Sequence, residues 1–363
     1  MWEISIIAVS HVLFGIILIA SKKKKVRSDH ILICWLIIFS LPFLQQILLH
    51  FELSWSTFSR VINQSFTLLH GPFLYLYLKE ITKQYEKKIQ YWPHFIIFSI
   101  FYTLFILNPA PIHPGGPVEP MNSDFSLFAY FGLVNIIVFL GYGLLSLQSL
   151  YVHRKRIKET FAYENGEIKL VWFTLLPVLF VILTLLNLLI ENTPLQEYIV
   201  IESLHLCMFL FFTLYLIFFG LRQRQIFPKA ESSIKETEPV KRPTDENPEQ
   251  LQLLEKMDAI LVKERLYLNP VLSVYDLAEA VDISRHQISS ILNNGRSMNF
   301  YQYVNQYRLE EVCKRLEEDT ENRFNILDHA LDSGFNSKSS FNSLFKTRYG
   351  QTPSQYKKSI RMS

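Results

Sequence analysis

Two groups of side chains late in the chain carry hydrogen-bond donors and acceptors at helical spacing. The first is Arg285, His286, Ser289 and Ser290; the second is Lys338, Ser339, Asn342, Ser343 and Lys346. Each group lies on one helix face if its apolar neighbours turn inward, Ile288 and Leu292 in the first and Phe341 and Phe345 in the second. Such a face can touch base-pair edges. The Asn342 amide suits adenine, and Arg285 and Lys338 suit guanine or a phosphate.

Other chemistry has little to stand on. Cys34, Cys207 and Cys313 are odd in number, far apart and in no metal spacing, so neither a disulfide framework nor a zinc site is expected. No His-rich metal motif, Gly-rich phosphate loop, Ser/His/Asp set, histidine-kinase segment or receiver segment is present. The expectation is a protein that is not an enzyme, with no catalytic residue, no metal ligand and no cofactor.

The elements that must position the two faces are short amphipathic helices. A first helix, "LQLLEKMDAILVKERLYL", carries Leu251, Leu254, Met257 and Leu261 on one stripe. Ser273 then caps a helix through Val281, Asp282-Ile283 makes a turn, and Ser284 caps a second helix that buries Ile288, Ile291 and Leu292 against Leu277, Ala278 and Val281. After a connecting helix, "YQYVNQYRLEEVCKRLEE", the pattern repeats. A helix over about 325–332 leads to a turn at Ser333-Gly334-Phe335 and a helix from Ser337 to Tyr349 that packs Phe341, Leu344 and Phe345 inward. Charge is uneven across this region: 249–363 holds 15 Lys/Arg and 15 Asp/Glu, whereas 333–363 holds six basic residues and no acidic one. A local cationic face is what phosphate neutralisation requires.

The stretch from about 251 to 360 resembles the DNA-binding domain of the AraC/XylS family of bacterial regulators. The motifs "DLAEAVDIS", "NFYQYVNQYRLEEV", "GFNSKSSFNSLFK" and "GQTPSQY" carry the resemblance. It implies two helix-turn-helix units joined by a long helix, with the two residue groups above at the base-contacting positions and successive major grooves as their target. Departures are His329 and Ser333, where the family usually has aliphatic residues, and Ser290 and Ser343, where it often has Arg. The former imply looser packing of the second unit, and the latter weaker phosphate or guanine contacts.

The front of the chain is of another kind. Hydrophobic residues make up 49% of the sequence, and apolar runs recur at roughly 2–20, 31–50, 61–80, 92–107, 125–150, 170–190 and 198–220. Each is near the roughly 20 residues that cross a bilayer as a helix; Pro42, Pro72 and Pro177 inside them are tolerated where neighbouring helices satisfy the freed carbonyls. The first run has no preceding basic residue and reads as a retained span rather than a signal peptide. The connections 21–30, 79–91 and 151–169 hold 14 Lys/Arg and the alternate ones only Arg60, which places the N-terminus outside and the C-terminus inside. Residues 229–248, rich in charge and Pro, read as a flexible linker spanning about 25 Å.

The fold class expected is therefore all-α: a seven-transmembrane-helix bundle over 1–228, a linker over 229–248, and a soluble double helix-turn-helix domain over 249–363. Gln45, Gln46, Asn63, Gln64, Asn187, Glu202 and His205 fall in the outer parts of the spans and are candidates for sensing a small-molecule ligand from outside; interhelical hydrogen bonding is their alternative role. The resulting expectation is a membrane-tethered one-component transcriptional regulator in the bacterial cytoplasmic membrane. Its partners would be double-stranded DNA, the lipid bilayer, that ligand, a second copy of the chain and RNA polymerase. The alternatives are a membrane signalling protein whose helix-turn-helix domain contacts protein partners, and a transporter-like protein with an appended regulatory domain.

Overall fold

The computed structural model describes residues 2–51, 65–82, 90–107, 127–164, 168–179, 182, 199–223, 248–321 and 323–361. Among these the protein is all-α, with a single isolated antiparallel bridge between Phe161 and Ser273. The chain divides into two compact units, one formed by Met1–Tyr151 and Leu170–Lys229, the other by Val152–Lys169 and Ala230–Ser363.

In the first unit, α1 (Trp2–Ala20), α2 (Arg27–His50), α3 (His70–Ile81), α4 (Ile96–Leu107) and α6 (Ile199–Arg222) accompany the long α5 (Leu127–Thr160), whose last turns belong to the second unit. α2 runs through Pro42 without a break. Its core is aromatic and aliphatic: Trp35, Phe39, Leu74, Tyr77, Phe173, Phe212 and Leu216 are buried together. The Trp35 indole donates to Nδ1 of the buried His70 at 3.1 Å, so this polar pair is satisfied inside the core. At the other end of α6, Lys22 Nζ donates to Asp29 at 2.6 Å and to the Gly220 carbonyl at 2.8 Å. That cation ties the α1–α2 turn to the end of α6. Gly220 lets the helices approach closely there, since a Cβ would meet Leu32 Cδ2 at 2.2 Å and Leu32 would have to shift.

Three of the described helical stretches are long and apolar enough to cross a membrane: Trp2–Ala20, Arg27–Leu48 and Phe131–Thr160. Trp92–Leu107 and Cys207–Arg222 are apolar but shorter. The count of seven spans is thus not reached among the described residues. The run at 61–80 includes undescribed residues and otherwise forms a short 3-10 turn plus a helix of 12 residues. The run at 170–190 is described only in part, and the linker at 229–248 lies almost wholly outside the described residues.

The second unit holds seven further helices: α7 (Pro248–Lys263), α8 (Val274–Val281), α9 (Arg285–Arg296), α10 (Phe300–Glu318), α11 (Ile326–Asp332), α12 (Lys338–Tyr349) and α13 (Pro353–Ser359). Local chemistry sets their starts. Ser273, Ser284, Asn299, Asn325 and Thr352 each close a capping box with the residue three positions on, and Ser337 caps α12 alone. Each cap satisfies backbone donors that the first helical turn leaves without partners. The turn between α8 and α9 passes through Asp282 in the left-handed region (φ 59°), and the turn between α11 and α12 through Gly334 (φ 91°). The expected stripe on α7 is corrected at one end: Leu254, Met257 and Leu261 are buried, but Leu251 is exposed, because it lies in the first turn, beyond the helices that α7 covers.

Two cores result. Met257, Leu261, Leu277, Val281, Ile288, Leu292 and Tyr303 close around α8 and α9; Leu309, Val312, Leu316, Ala330, Phe335, Phe341 and Phe345 close around α11 and α12. The two share α10, and the Arg308 side chain at its centre, fully buried, joins them. Its guanidinium donates to the carbonyls of Tyr267, Ala162 and Asn269, each at 2.7 Å. Burial pulls the arginine down to about 10, which leaves it charged at neutral pH. Gly334 approaches the same cluster, and a Cβ there would lie 2.4 Å from the Tyr267 oxygen and 3.0 Å from Arg308 Nε. Gly334→Ala therefore combines a strained φ with a backbone collision and should destabilise the second unit by about 3 kcal/mol. Hydrogen exchange of the α11 and α12 amides would accelerate by roughly 100-fold; exchange at the wild-type rate would show that the turn tolerates a side chain.

Candidate nucleic-acid interface

Arg285, His286, Ser289 and Ser290 all lie on α9, opposite the buried Ile288, Ile291 and Leu292. His286 is exposed and the other three are half-exposed. Arg285 is held in place: its Nη1 donates to the Tyr275 hydroxyl at 2.8 Å, and its guanidinium sits over the Tyr275 ring at 5.5 Å. A guanidinium fixed by an aromatic ring loses less conformational entropy when it meets a further acceptor. Ser290 accepts a hydrogen bond from Asn294 at 3.2 Å.

On α12, Lys338, Ser339, Asn342, Ser343 and Lys346 are all exposed, while Phe341 and Phe345 are buried and Leu344 is only partly so. Ser339 is paired with the N-cap hydroxyl of Ser337 at 2.8 Å. Lys338 and Asn342 also border an open groove between the starts of α11, α12 and α13. The two residue groups thus take the helix faces the spacing indicates, on two helices whose units are joined by α10.

The basic C-terminal segment is less uniform than its composition implies. Lys338, Lys346, Arg348, Lys358 and Arg361 are exposed, but Lys357 turns inward and donates to Asp319 Oδ2 and the Phe324 carbonyl, each at 3.4 Å. Lys357 belongs to a polar network in the second helix-turn-helix unit. His329 and Ser333 are both buried there; Ser333 Oγ donates to the His329 carbonyl at 2.8 Å, and His329 Nε2 lies 3.0 Å from Asp319 Oδ2. An ionised carboxylate only accepts, so Nε2 carries the proton. The looser packing expected from the departures at 329 and 333 is replaced by hydrogen bonds that satisfy both side chains.

The candidate ligand-sensing residues are less fully seen. Gln45 and Gln46 are half-buried on α2; Asn63, Gln64 and Asn187 lie outside the described residues; Glu202 and His205 lie on α6, where the backbone alone is described. Among the described residues no group of three or more His, Cys, Asp or Glu side chains is placed to hold a metal.

The double helix-turn-helix arrangement has a counterpart among known families. Residues 277–359 match a family model described as a helix-turn-helix domain. The probable transcription factor PqrA of Proteus vulgaris is 27% identical over 101 residues, which make up 28% of this chain and 80% of that protein. No solved structure matches the chain. The matched segment begins inside α8 and ends with α13, so both polar faces lie within it.

Sequence reasoning did not find two residues that matter to this surface. Tyr275 positions Arg285 from the preceding helix, and Ala162, far upstream, supplies one of the carbonyls that hold Arg308. The network at Asp319 leads to a pH prediction. The hydrogen bond from His329 holds the Asp319 carboxyl well below the usual carboxylate range; burial opposes this, while the Arg323 and Phe324 amides and Lys357 add to it. A carboxyl depressed on folding contributes stability that is full above its unfolded value of about 3.9 and is lost as pH falls through the lower folded one. Asp319→Asn should therefore lower the thermal midpoint at pH 7 and remove part of the acid-induced loss below pH 4. An unchanged pH slope in circular-dichroism melts of the variant would contradict the role of this carboxylate.

Proposed function

We propose that this chain is a membrane-tethered transcriptional regulator that binds double-stranded DNA through both helix-turn-helix units. The observation that carries the reading is the pair of solvent-facing polar faces, Arg285/His286/Ser289/Ser290 and Lys338/Ser339/Asn342/Ser343/Lys346, on units joined by one helix within an AraC-type domain. The name of the Proteus relative, a probable transcription factor, supports the same reading. Successive major grooves about one helical turn apart are the surface these two faces fit. The exposed cations of 333–363 would neutralise phosphates and make binding salt-dependent.

The membrane part of the proposal rests on the three long apolar helices and on the loop-charge pattern. In this reading 1–228 is a multi-pass sensor, 229–248 a tether and 249–363 the output domain on the cytoplasmic side. A ligand binding near Gln45, Gln46, Asn63, Gln64, Asn187, Glu202 or His205 would shift α6, and the shift is limited to the ligand's differential affinity for the two states. A second copy of the chain and RNA polymerase are the further partners of a regulator of this kind. A second reading, in which the domain contacts a protein instead, is favoured by Ser290 and Ser343: both present hydroxyls where the resembled family often has Arg.

The deciding experiment is binding of the full-length protein, in detergent, to pooled genomic duplexes at two salt concentrations. Asn342→Ala should cost about 1–3 kcal/mol at one operator position and relax specificity there, whereas Lys358→Ala should weaken all sequences alike and reduce the salt slope by about 1. If neither variant alters binding, the protein-partner reading gains.

Orientation is checked separately. A reporter active only outside the cytoplasmic membrane should be silent when fused after Ser363 and active within 108–124. The reverse pattern would place the helix-turn-helix domain away from the genome and end the tethered-regulator reading.

A further inference from the structure

Residues 152–169 lie in the sequence between apolar runs, yet they belong to the same compact unit as the helix-turn-helix domain. α5 ends at Thr160, and the next residues enter that domain's core. Phe161 pairs antiparallel with Ser273, the N-cap of α8. Ala162 is fully buried, and both of its backbone groups are used. Its N–H donates to the Leu272 carbonyl at 3.0 Å, and its carbonyl accepts from Arg308 Nη1 at 2.7 Å and from Asn305 Nδ2 at 3.0 Å.

The contact extends to either side. Burial first, and then the charge of Asp276, the capping-box partner of Ser273, push the Tyr163 phenol up. Glu164 is fixed by Lys169 at 2.5 Å. Burial first, and then the Glu164 carboxylate, push the Tyr301 phenol on α10 up to about 12, opposed by Ser340 of α12. The loop is also closed onto the helix it leaves: His153 Nε2 lies 2.8 Å from the Ile168 carbonyl, and Arg154 Nε donates to that of Lys169 at 3.2 Å. A segment of four residues thus meets the start of α8 and the middle of α10, and its charge is felt beside α12.

Arg308 gives this docking its consequence. Its three shortest bonds go to neutral carbonyls, one of them from Ala162, and Nη1 makes a longer fourth one to Asn305 Oδ1 at 3.3 Å. Asn305 is saturated in the same way, by the carbonyls of Ala162 and Tyr301. Withdrawal of 161–164 takes one acceptor from each of two buried donors beside the turn at Gly334, leaving Arg308 Nη1 only the 3.3 Å bond to Asn305 Oδ1 and Asn305 Nδ2 only the Tyr301 carbonyl, and buried polar groups that lose partners are disfavoured.

We propose that residues 161–164 form an intramolecular clamp through which the end of α5 sets the DNA affinity of both helix-turn-helix units. The proposal rests on the DNA-binding reading above. When the clamp is docked, the Arg308 cluster is saturated and the spacing of α9 and α12 is fixed before DNA arrives. When it is withdrawn, the spacing must be ordered on binding, and affinity falls. A signal that displaces the end of α5 is then read out as lower occupancy of the operator, without any change in the residues that touch DNA.

The test uses the full-length protein in detergent, with two readouts. Hydrogen exchange on the wild type should show the Ala162 amide protected by about 100-fold relative to an open loop. Ala162→Pro, which removes the N–H, should speed exchange at 272–276 and 301–308 and weaken binding to pooled genomic duplexes about tenfold, with the salt slope unchanged because no phosphate contact is lost. Open-loop exchange at Ala162 in the wild type overturns the clamp without recourse to a variant. Wild-type affinity in Ala162→Pro, with exchange accelerated, overturns its control of DNA binding. A wild type that protects Ala162 but binds no duplex overturns the DNA reading and, with it, the clamp's output, while leaving the docking itself established.

Discussion

A guanidinium buried without a carboxylate is the constraint around which the C-terminal half is organised. Taking a cation out of water is costly, and the cost is met here by geometry: Arg308 reaches three carbonyls, each at 2.7 Å, from segments that are remote in sequence. Tyr267 and Asn269 lie between α7 and α8, and Ala162 follows α5. The turn at Gly334 packs against the same cluster, so close that only glycine fits. Each helix-turn-helix unit has its own apolar core, and α10 runs through both, with Arg308 bonded beside the first core and the Gly334 turn of the second unit packed next to it.

The second unit shows how buried polar residues can stand where apolar packing would be expected. His329 and Ser333 are enclosed, and each has a partner; Asp319 gathers His329, Lys357 and two backbone amides. Such a network is sensitive to geometry, because a buried polar group costs free energy as soon as its partner moves. It also withdraws one cation from the C-terminal basic segment, so the face available to phosphates is smaller than the count of Lys and Arg implies. The first unit uses a different device on its surface. The Tyr275 ring and hydroxyl hold Arg285 in one orientation, which prepares the guanidinium for a planar acceptor.

The N-terminal half is built by other rules. Its core is a continuous aromatic cluster about Trp35 and Phe39, with a satisfied Trp–His pair inside it. On α1, Leu13, Phe14 and Ile17 face outward and are more than half exposed. The small residues Gly15 and Gly220 sit where large side chains of neighbouring helices, Ile217 and Leu32, come closest. Lys22, lodged between Asp29 and the Gly220 carbonyl, fixes the end of α6 next to the residues that lead out of this unit.

The sequence by itself determined what is local. Caps at Ser273 and Ser284, the turns at Asp282 and Gly334, and the inward faces of α9 and α12 follow from side-chain chemistry within a few residues, and the structure places them as the spacing indicates. The solvent-facing residues of α9 and α12 were legible for the same reason, since they are what remains of a helix surface once its apolar stripe is assigned. Tertiary structure alone decided what is not local. Leu251 has the right type and spacing to be buried, but no helix lies over it. Lys357 reads as one more surface cation until Asp319 and Phe324 are brought beside it. Ala162 has a methyl side chain that signals nothing, and its importance lies in two backbone groups that any residue but proline possesses. Which acceptor a buried arginine finds is settled by how the chain packs, and no periodicity in the sequence records it.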